Sequence, residues 1–183
     1  MDNLQLISLL VGMITLSRIV HQMSGQINSL CKATTFSNTL TFLALLSIIV
    51  KNEKYLVRSS SAVAFAMMLA FWTVYLMYGK KSLYGRYNAS YYEIYVDHLF
   101  IPLFMIFISL FYKDDNQSLK RTILQIIIIE TFWLFCTLTT DPVYPFLKNS
   151  DGTLNAFKLL MMTTVFGAIS IGFETVHHHI RNK

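Results

Sequence analysis

Asp97 and His98 head an otherwise apolar run that reaches Tyr112, in the stretch YVDHLFIPLF. An imidazole has the intrinsic pKa of a general base near neutral pH. To do nucleophilic chemistry it needs a hydroxyl to activate, because an unassisted threonine is a poor nucleophile. Such hydroxyls crowd KATTFSNTLTF, where Thr34, Thr35, Thr39 and Thr41 stand beside Ser37 and Asn38 at the start of another apolar run. Thr35 and Asn38, three residues apart, share a helical face. Together with the unpaired N–H groups of a helix start, the Asn38 amide can donate to an oxyanion. Each residue also has a structural reading. A threonine in an apolar helix ordinarily bonds a backbone carbonyl or lets a neighbour approach. A histidine beside a helix-starting acid is also an ordinary interfacial arrangement, and the helix dipole favours the acid there.

Three further positions carry charge into apolar surroundings. Glu130 lies mid-run in IIIIETFW, where a carboxylate must be protonated or paired; Arg18 and His21 of the first run are candidate partners. Asp97 projects about 100° from His98 around a helix, so it is not the obvious acid to orient the imidazole. Pro102 has no N–H, which strips the His98 carbonyl of its ladder bond and predicts a loosened, kinked turn there. Glu174 reads as interfacial. The adjacent histidines of HHHIR, 100° apart on a helix, read as a solvated tail and not as a metal site.

Other signatures of chemistry are missing. GAISIG at 167–172 is one residue too long for G-x-S-x-G and lies inside an apolar run. There is no Gly-rich phosphate loop, HExxH or CxxC, and neither a metal nor a cofactor is expected. Cys31 and Cys136 leave a disulfide open, and Asn88-Ala89-Ser90 is a glycosylation sequon by pattern alone.

The elements that must position these groups follow from composition. The chain has 183 residues, 54% hydrophobic and only 14% charged, against about a quarter charged in ordinary soluble domains. The apolar residues fall in blocks at about 4–23, 33–50, 59–78, 94–112, 121–140 and 155–175, each near the roughly 20 residues that cross a bilayer as a helix. Transmembrane β-strands would be about half that length and alternate in polarity. The expected fold is an all-α integral membrane protein, one domain of six transmembrane helices. Asp2 stands where a signal peptide would carry basic residues, and no small-x-small cleavage site follows, so the first block reads as a retained helix. The net charge of +5 does not imply nucleic acid, because the basic residues lie mostly in short connections. With the N-terminus inside, Lys51, Lys54, Arg58, Lys113, Lys120, Arg121, Arg181 and Lys183 face the cytoplasm, against Lys32, Lys80, Lys81, Arg86 and Lys148 outside. That bias places both termini in the cytoplasm, although Arg18 runs against it. Composition and short loops favour a bacterial cytoplasmic membrane. Tyr84, Tyr87, Tyr91, Tyr92 and Tyr95 read either as an interfacial belt or as the mouth of a lipid site.

Alternation has one more consequence. The second, fourth and sixth helices start from the same side, so KATTFSNTLTF, YVDHLFIP and DPVYPFLKNSDGT converge on one face of the bundle.

These three stretches resemble the androgen-induced membrane hydrolases and their bacterial relatives. KATTF resembles that family's K-x-x-T-F at the start of the second helix, and DHLFIPLF its histidine before a proline-bearing span. VYPFL at 143–147, after a tryptophan-bearing helix, resembles its W-x-YPFL segment, and Ser37-Asn38 the Ser-Asn of the bacterial members. The resemblance implies a hydrolase for a fatty acyl ester of a lipid, such as a fatty acid ester of a hydroxy fatty acid. It implies a threonine nucleophile, Thr35, with His98 as base. Registration on the Ser-Asn pair selects Thr34 instead, and TLTF offers Thr41. Asn38 and Tyr144 become candidates for the oxyanion or substrate, and a membrane lipid the partner. Asp97 and Asp141-Pro142 depart from the family pattern, which bears on the substrate more than on the fold. The rival expectation is a small transporter or channel with Glu130, Arg18 and Asp97 lining the path, against which the lack of internal repeats counts. Oligomeric state is left open.

Overall fold

The computed structural model describes residues 3–23, 32–50, 55–84, 90–111, 118–139 and 147–181. Among them the chain is helical, apart from one isolated antiparallel bridge between Lys148 and Leu154. We number six helices: α1 (Asn3–Met23), α2 (Ala33–Ile49), α3 (Tyr55–Tyr84), α4 (Tyr91–Phe111), α5 (Leu119–Leu138) and α6 (Ala156–Arg181). Five of them contain stretches long and apolar enough to cross a membrane. The exception, α2, has 17 residues, the short edge of the spanning range of roughly 17–25. Leu76, Met13, Val20, Phe107, Ile128 and Phe157 stand exposed on the outer faces. Apolar surface on that scale suits lipid better than water, and the architecture is compatible with a multi-pass integral membrane protein.

Polar residues at the helix ends do local work. Ser90 and Glu93 form a reciprocal capping box at the start of α4, with Glu93 N–H on Ser90 Oγ at 3.2 Å and Ser90 N–H on Glu93 Oε2 at 2.7 Å. Ser118 caps α5 and Asn155 caps α6 through the N–H groups of Arg121 and Lys158. Within the helices, Thr15, Thr39, Thr137 and Thr163 donate to the carbonyl four residues back, the threonine bonding that apolar surroundings favour.

The hub is α3, which packs against α2, α4, α5 and α6. Its first turns read RSSSAVAFA, and Ser59, Ser60, Ser61, Ala62, Ala64 and Ala66 are buried. Small side chains let neighbouring backbones approach closely, the usual basis of tight contact between apolar helices. Two cores flank this hub. On one side Val11, Leu45, Ile48, Val57 and Met105 join α1, α2, α3 and α4. On the other Val63, Met67, Trp133, Leu147, Leu159 and Phe166 join α3, α5 and α6.

Three boundaries depart from expectation. α3 begins at Tyr55 and is broken at Gly79, whose φ of 74° lies in the left-handed region that glycine enters without penalty. α6 continues to Arg181, so the histidine run belongs to a helix and not to a solvated tail; His177 is buried. α4 is not uniform: Val96–Phe100 forms a π-helical turn in which Ile101 N–H reaches back five residues to the Val96 carbonyl.

Candidate functional site

The π turn sits where Pro102 removes a donor. The His98 carbonyl that loses its ladder partner accepts instead from the Trp72 indole N–H of α3 at 2.8 Å. The His98 ring is buried and lies flat on Phe71, with ring centroids 3.4 Å apart and planes within 3°. α3 therefore holds residue 98 by both backbone and side chain.

Asp97, one residue earlier, turns to α1. Arg18 Nε and Nη2 reach its two carboxylate oxygens at 2.9 and 2.8 Å, and Gln22 adds a third bond at 2.8 Å. Arg18 also contacts Glu93 at 3.3 Å, and His21 contacts the same Glu93 oxygen at 3.1 Å. Glu130 is therefore not the partner of Arg18 or His21. It is buried near Ser170 of α6, whose hydroxyl lies 3.5 Å from Oε1. Glu174 is fully buried among its neighbours and paired with Arg58, while His178 lies 3.1 Å from Arg58 and His177 Nδ1 3.7 Å from Glu174 Oε2.

An apolar cavity of about 640 Å³ opens between α3 and α6, within the roughly 300–1,000 Å³ typical of small-molecule sites. Its walls include Met67, Ala70, Phe71 and Val74 of α3 and Met161, Met162, Phe166 and Ile169 of α6. Ala33 and Thr34 enter from the head of α2, His98 from the π turn, and Leu147 from the segment before α6. Residues from all three converging stretches thus meet at one cavity. Leu69, Phe157 and Val165 line it and are also exposed on the outside of the bundle, so it opens sideways between two helices.

The individual candidates are placed as follows. Thr34 shares the cavity wall with His98. Thr35 is buried behind that wall; among the described residues its hydroxyl, like the Asn38 amide nitrogen and the Thr41 hydroxyl, has no hydrogen-bond partner. Lys32 at the N-cap makes no side-chain bond to the first turn of α2. Arg18, Asp97 and Glu130 are not among the cavity-lining residues. Tyr144 and Cys31 lie outside the described residues, as do the sequon asparagine Asn88 and Asp141-Pro142. No cluster of metal-ligating side chains occurs among the described residues.

Phe71, Trp72 and Lys158, which also lines the cavity, were not singled out in the sequence. For Phe71 and Trp72 no signal marks them, because apolar residues surround them on every face of α3. The Arg58–Glu174 pair was accessible: helix alternation puts the start of α3 and the end of α6 at the same end. Outside the apolar helices, the Asp151 carboxyl is held below the usual carboxylate range by the Thr153 hydroxyl and then the Thr153 N–H.

Compared with known proteins, the chain matches no family model, no curated protein and no solved structure.

Proposed function

We propose that the protein is a multi-pass membrane hydrolase that cleaves a fatty acyl ester of a lipid, with both termini cytoplasmic and the plasma membrane of a bacterium as its setting. The observation that carries the proposal is the sideways-opening apolar cavity whose wall includes both Thr34 and His98. The resemblance of KATTF, DHLFIPLF and VYPFL to the androgen-induced membrane hydrolases supports the same reading.

In this scheme the acyl chain enters from lipid between α3 and α6 and lies along their methionines and phenylalanines. A threonine Oγ1 attacks the ester carbonyl carbon while His98 takes its proton. The first-turn N–H groups of α2, where Thr34 lines the cavity, supply donors to the oxyanion. Collapse breaks the bond to the alkoxide, which leaves with the proton from His98. Water then attacks the acyl-threonine, His98 takes its proton, and the carboxylic acid departs as the threonine is restored. Thr34 has the cavity exposure a nucleophile needs; Thr35 has an unengaged buried hydroxyl one residue away.

The test is labelling of the full chain in detergent micelles by a fluorophosphonate bearing a long alkyl chain. The wild type labels, His98→Gln abolishes labelling, and only one of Thr34→Val and Thr35→Val does so. Labelling that survives all three substitutions, or a wild type inert to the probe, overturns the proposal.

A further inference from the structure

We infer that Phe71 is a positioning residue whose ring face stabilises His98 in its protonated state. The inference rests on the hydrolase reading and names the group that supports its charged intermediate.

The ring geometry is the starting point. Two neutral aromatic rings avoid a face-to-face sandwich, because their negative faces repel; they settle offset or edge-on. Phe71 and His98 nonetheless lie 3.4 Å apart, centroid to centroid, with planes 3° from parallel. A positive charge on one ring reverses the preference, since a cation is drawn to the centre of an aromatic face, most strongly where water is excluded. The arrangement is a poor one for imidazole and a good one for imidazolium. It is assembled before the proton arrives, so its stabilisation grows during the step that needs it.

The neighbouring acid is committed elsewhere. Both Asp97 oxygens are bonded to Arg18, at 2.9 and 2.8 Å, and one also to Gln22, so that carboxylate faces α1. Phe71 is itself held in place, stacked on Tyr75 at 5.8 Å and met edge-on by Trp72 at 5.5 Å. Trp72, its neighbour on α3, donates to the His98 carbonyl at 2.8 Å. That bond exists because the π turn before Pro102 leaves the carbonyl without its ordinary helical partner. Consecutive residues of α3 thus fix the backbone and cover the ring of the same histidine.

The experiment replaces Phe71 in the full chain with mono-, di- and trifluorinated phenylalanine and with cyclohexylalanine. Fluorine drains the negative face while keeping the size of the ring, and cyclohexylalanine keeps the bulk without a π face. The readouts are the rate of fluorophosphonate labelling and the thermal unfolding midpoint in detergent. The expected result is a stepwise loss of rate with each fluorine, totalling roughly 3- to 30-fold at an unchanged midpoint. Cyclohexylalanine should fall at or below the trifluorinated variant. A rate flat across the series overturns the inference, and so does a loss that follows falling stability, which would make Phe71 a packing residue only. Failure of the hydrolase reading looks different: labelling then persists in His98→Gln whatever stands at position 71.

Discussion

Among the described residues, two buried arginines, Arg18 and Arg58, are paired in opposite styles. Arg18, on α1, serves two carboxylates of α4, with Asp97 held by two bonds and Glu93 by one, and the site grades outward to a His21 side chain 55% exposed. Arg58, on α3, pairs with Glu174, and both are almost wholly enclosed beside the buried His177. The first cluster has more acid than guanidinium and a route to water. In the second, Arg58 and Glu174 are themselves enclosed, with side chains 3% and 0% exposed. An ion pair in an enclosed site is maintained only by its partner, because neither member can fall back on solvent; one at a wet rim can be broken at modest cost. The Arg58 pair is therefore a bolt between α3 and α6 at the end remote from His98. The Arg18 cluster lies beside the π turn and turns Asp97 away from the histidine next to it.

The largest expected effect breaks the enclosed pair from one side. Glu174→Gln strands the Arg58 charge and should lower stability by about 3–5 kcal/mol, measured by reversible unfolding in detergent. Replacing both partners, Arg58→Met with Glu174→Leu, removes the charge altogether and should return the chain to within about 1–2 kcal/mol of the wild type, or above it. A double variant as unstable as the single would mean that the residues contribute separately and the pair is no bolt.

The wet cluster should respond less and in graded fashion. Arg18→Met removes bonds to charged groups worth roughly 1.5–3 kcal/mol in total, softened by water at the rim. Asp97→Asn, at the buried end, should cost more than Glu93→Gln, for which about 1 kcal/mol or less is expected. If Glu93→Gln matches Asp97→Asn in unfolding experiments, the gradient from buried to exposed does not exist and the contrast between the clusters collapses.

That contrast also shows which features were readable beforehand. The helices were, because an apolar run of spanning length leaves little other choice in a chain so poor in charge. So was the loosened turn at His98: proline's missing N–H is a local property, and the π turn follows from it without reference to tertiary packing. That KATTF, the π turn and the segment before α6 lie at one end of the bundle followed from alternation alone; that they line one cavity did not. Side-chain partners were another matter. Arg18 and Glu130 are both ionisable groups in apolar helices, but Glu130 sits mid-helix against Ser170 while Arg18 lies near the end of α1. Depth along each helix separates them. The burial of His177 was not legible because hydropathy falls off near residue 175 although the helix continues to Arg181. Phe71 and Trp72 depend on the rotation of α3 about its axis, and a helix that packs on several sides carries no polar stripe to reveal it.

The smallest expected effect lies outside both clusters, in the turn that delivers Leu147 to the cavity. Asn155 N–H bonds the Leu147 carbonyl at 2.7 Å, and Gly152, at φ 85°, lets the chain reverse. Asp151 fastens the reversal by accepting from the Thr153 hydroxyl at 2.6 Å and its N–H at 2.9 Å. Those bonds favour the carboxylate, so the folded turn holds Asp151 below its ordinary value of 3.8. The sign follows from linkage. The contribution to the turn is complete above that ordinary value and disappears as pH falls through the lower folded one. At neutral pH the wild type should be unaffected. Amide protection across residues 147–155, corrected for intrinsic exchange, should weaken only below about pH 4. Asp151→Ala should show the weakened state already at pH 7, and Asp151→Asn, which can still accept both bonds, should resemble the wild type at that pH. The side chain is fully exposed, so the global unfolding midpoint should barely move, unlike the response at Glu174. A midpoint shift as large as that of Glu174→Gln would mean that the turn and the α3–α6 bolt form one cooperative unit, with the rim of the cavity and its far end locked together.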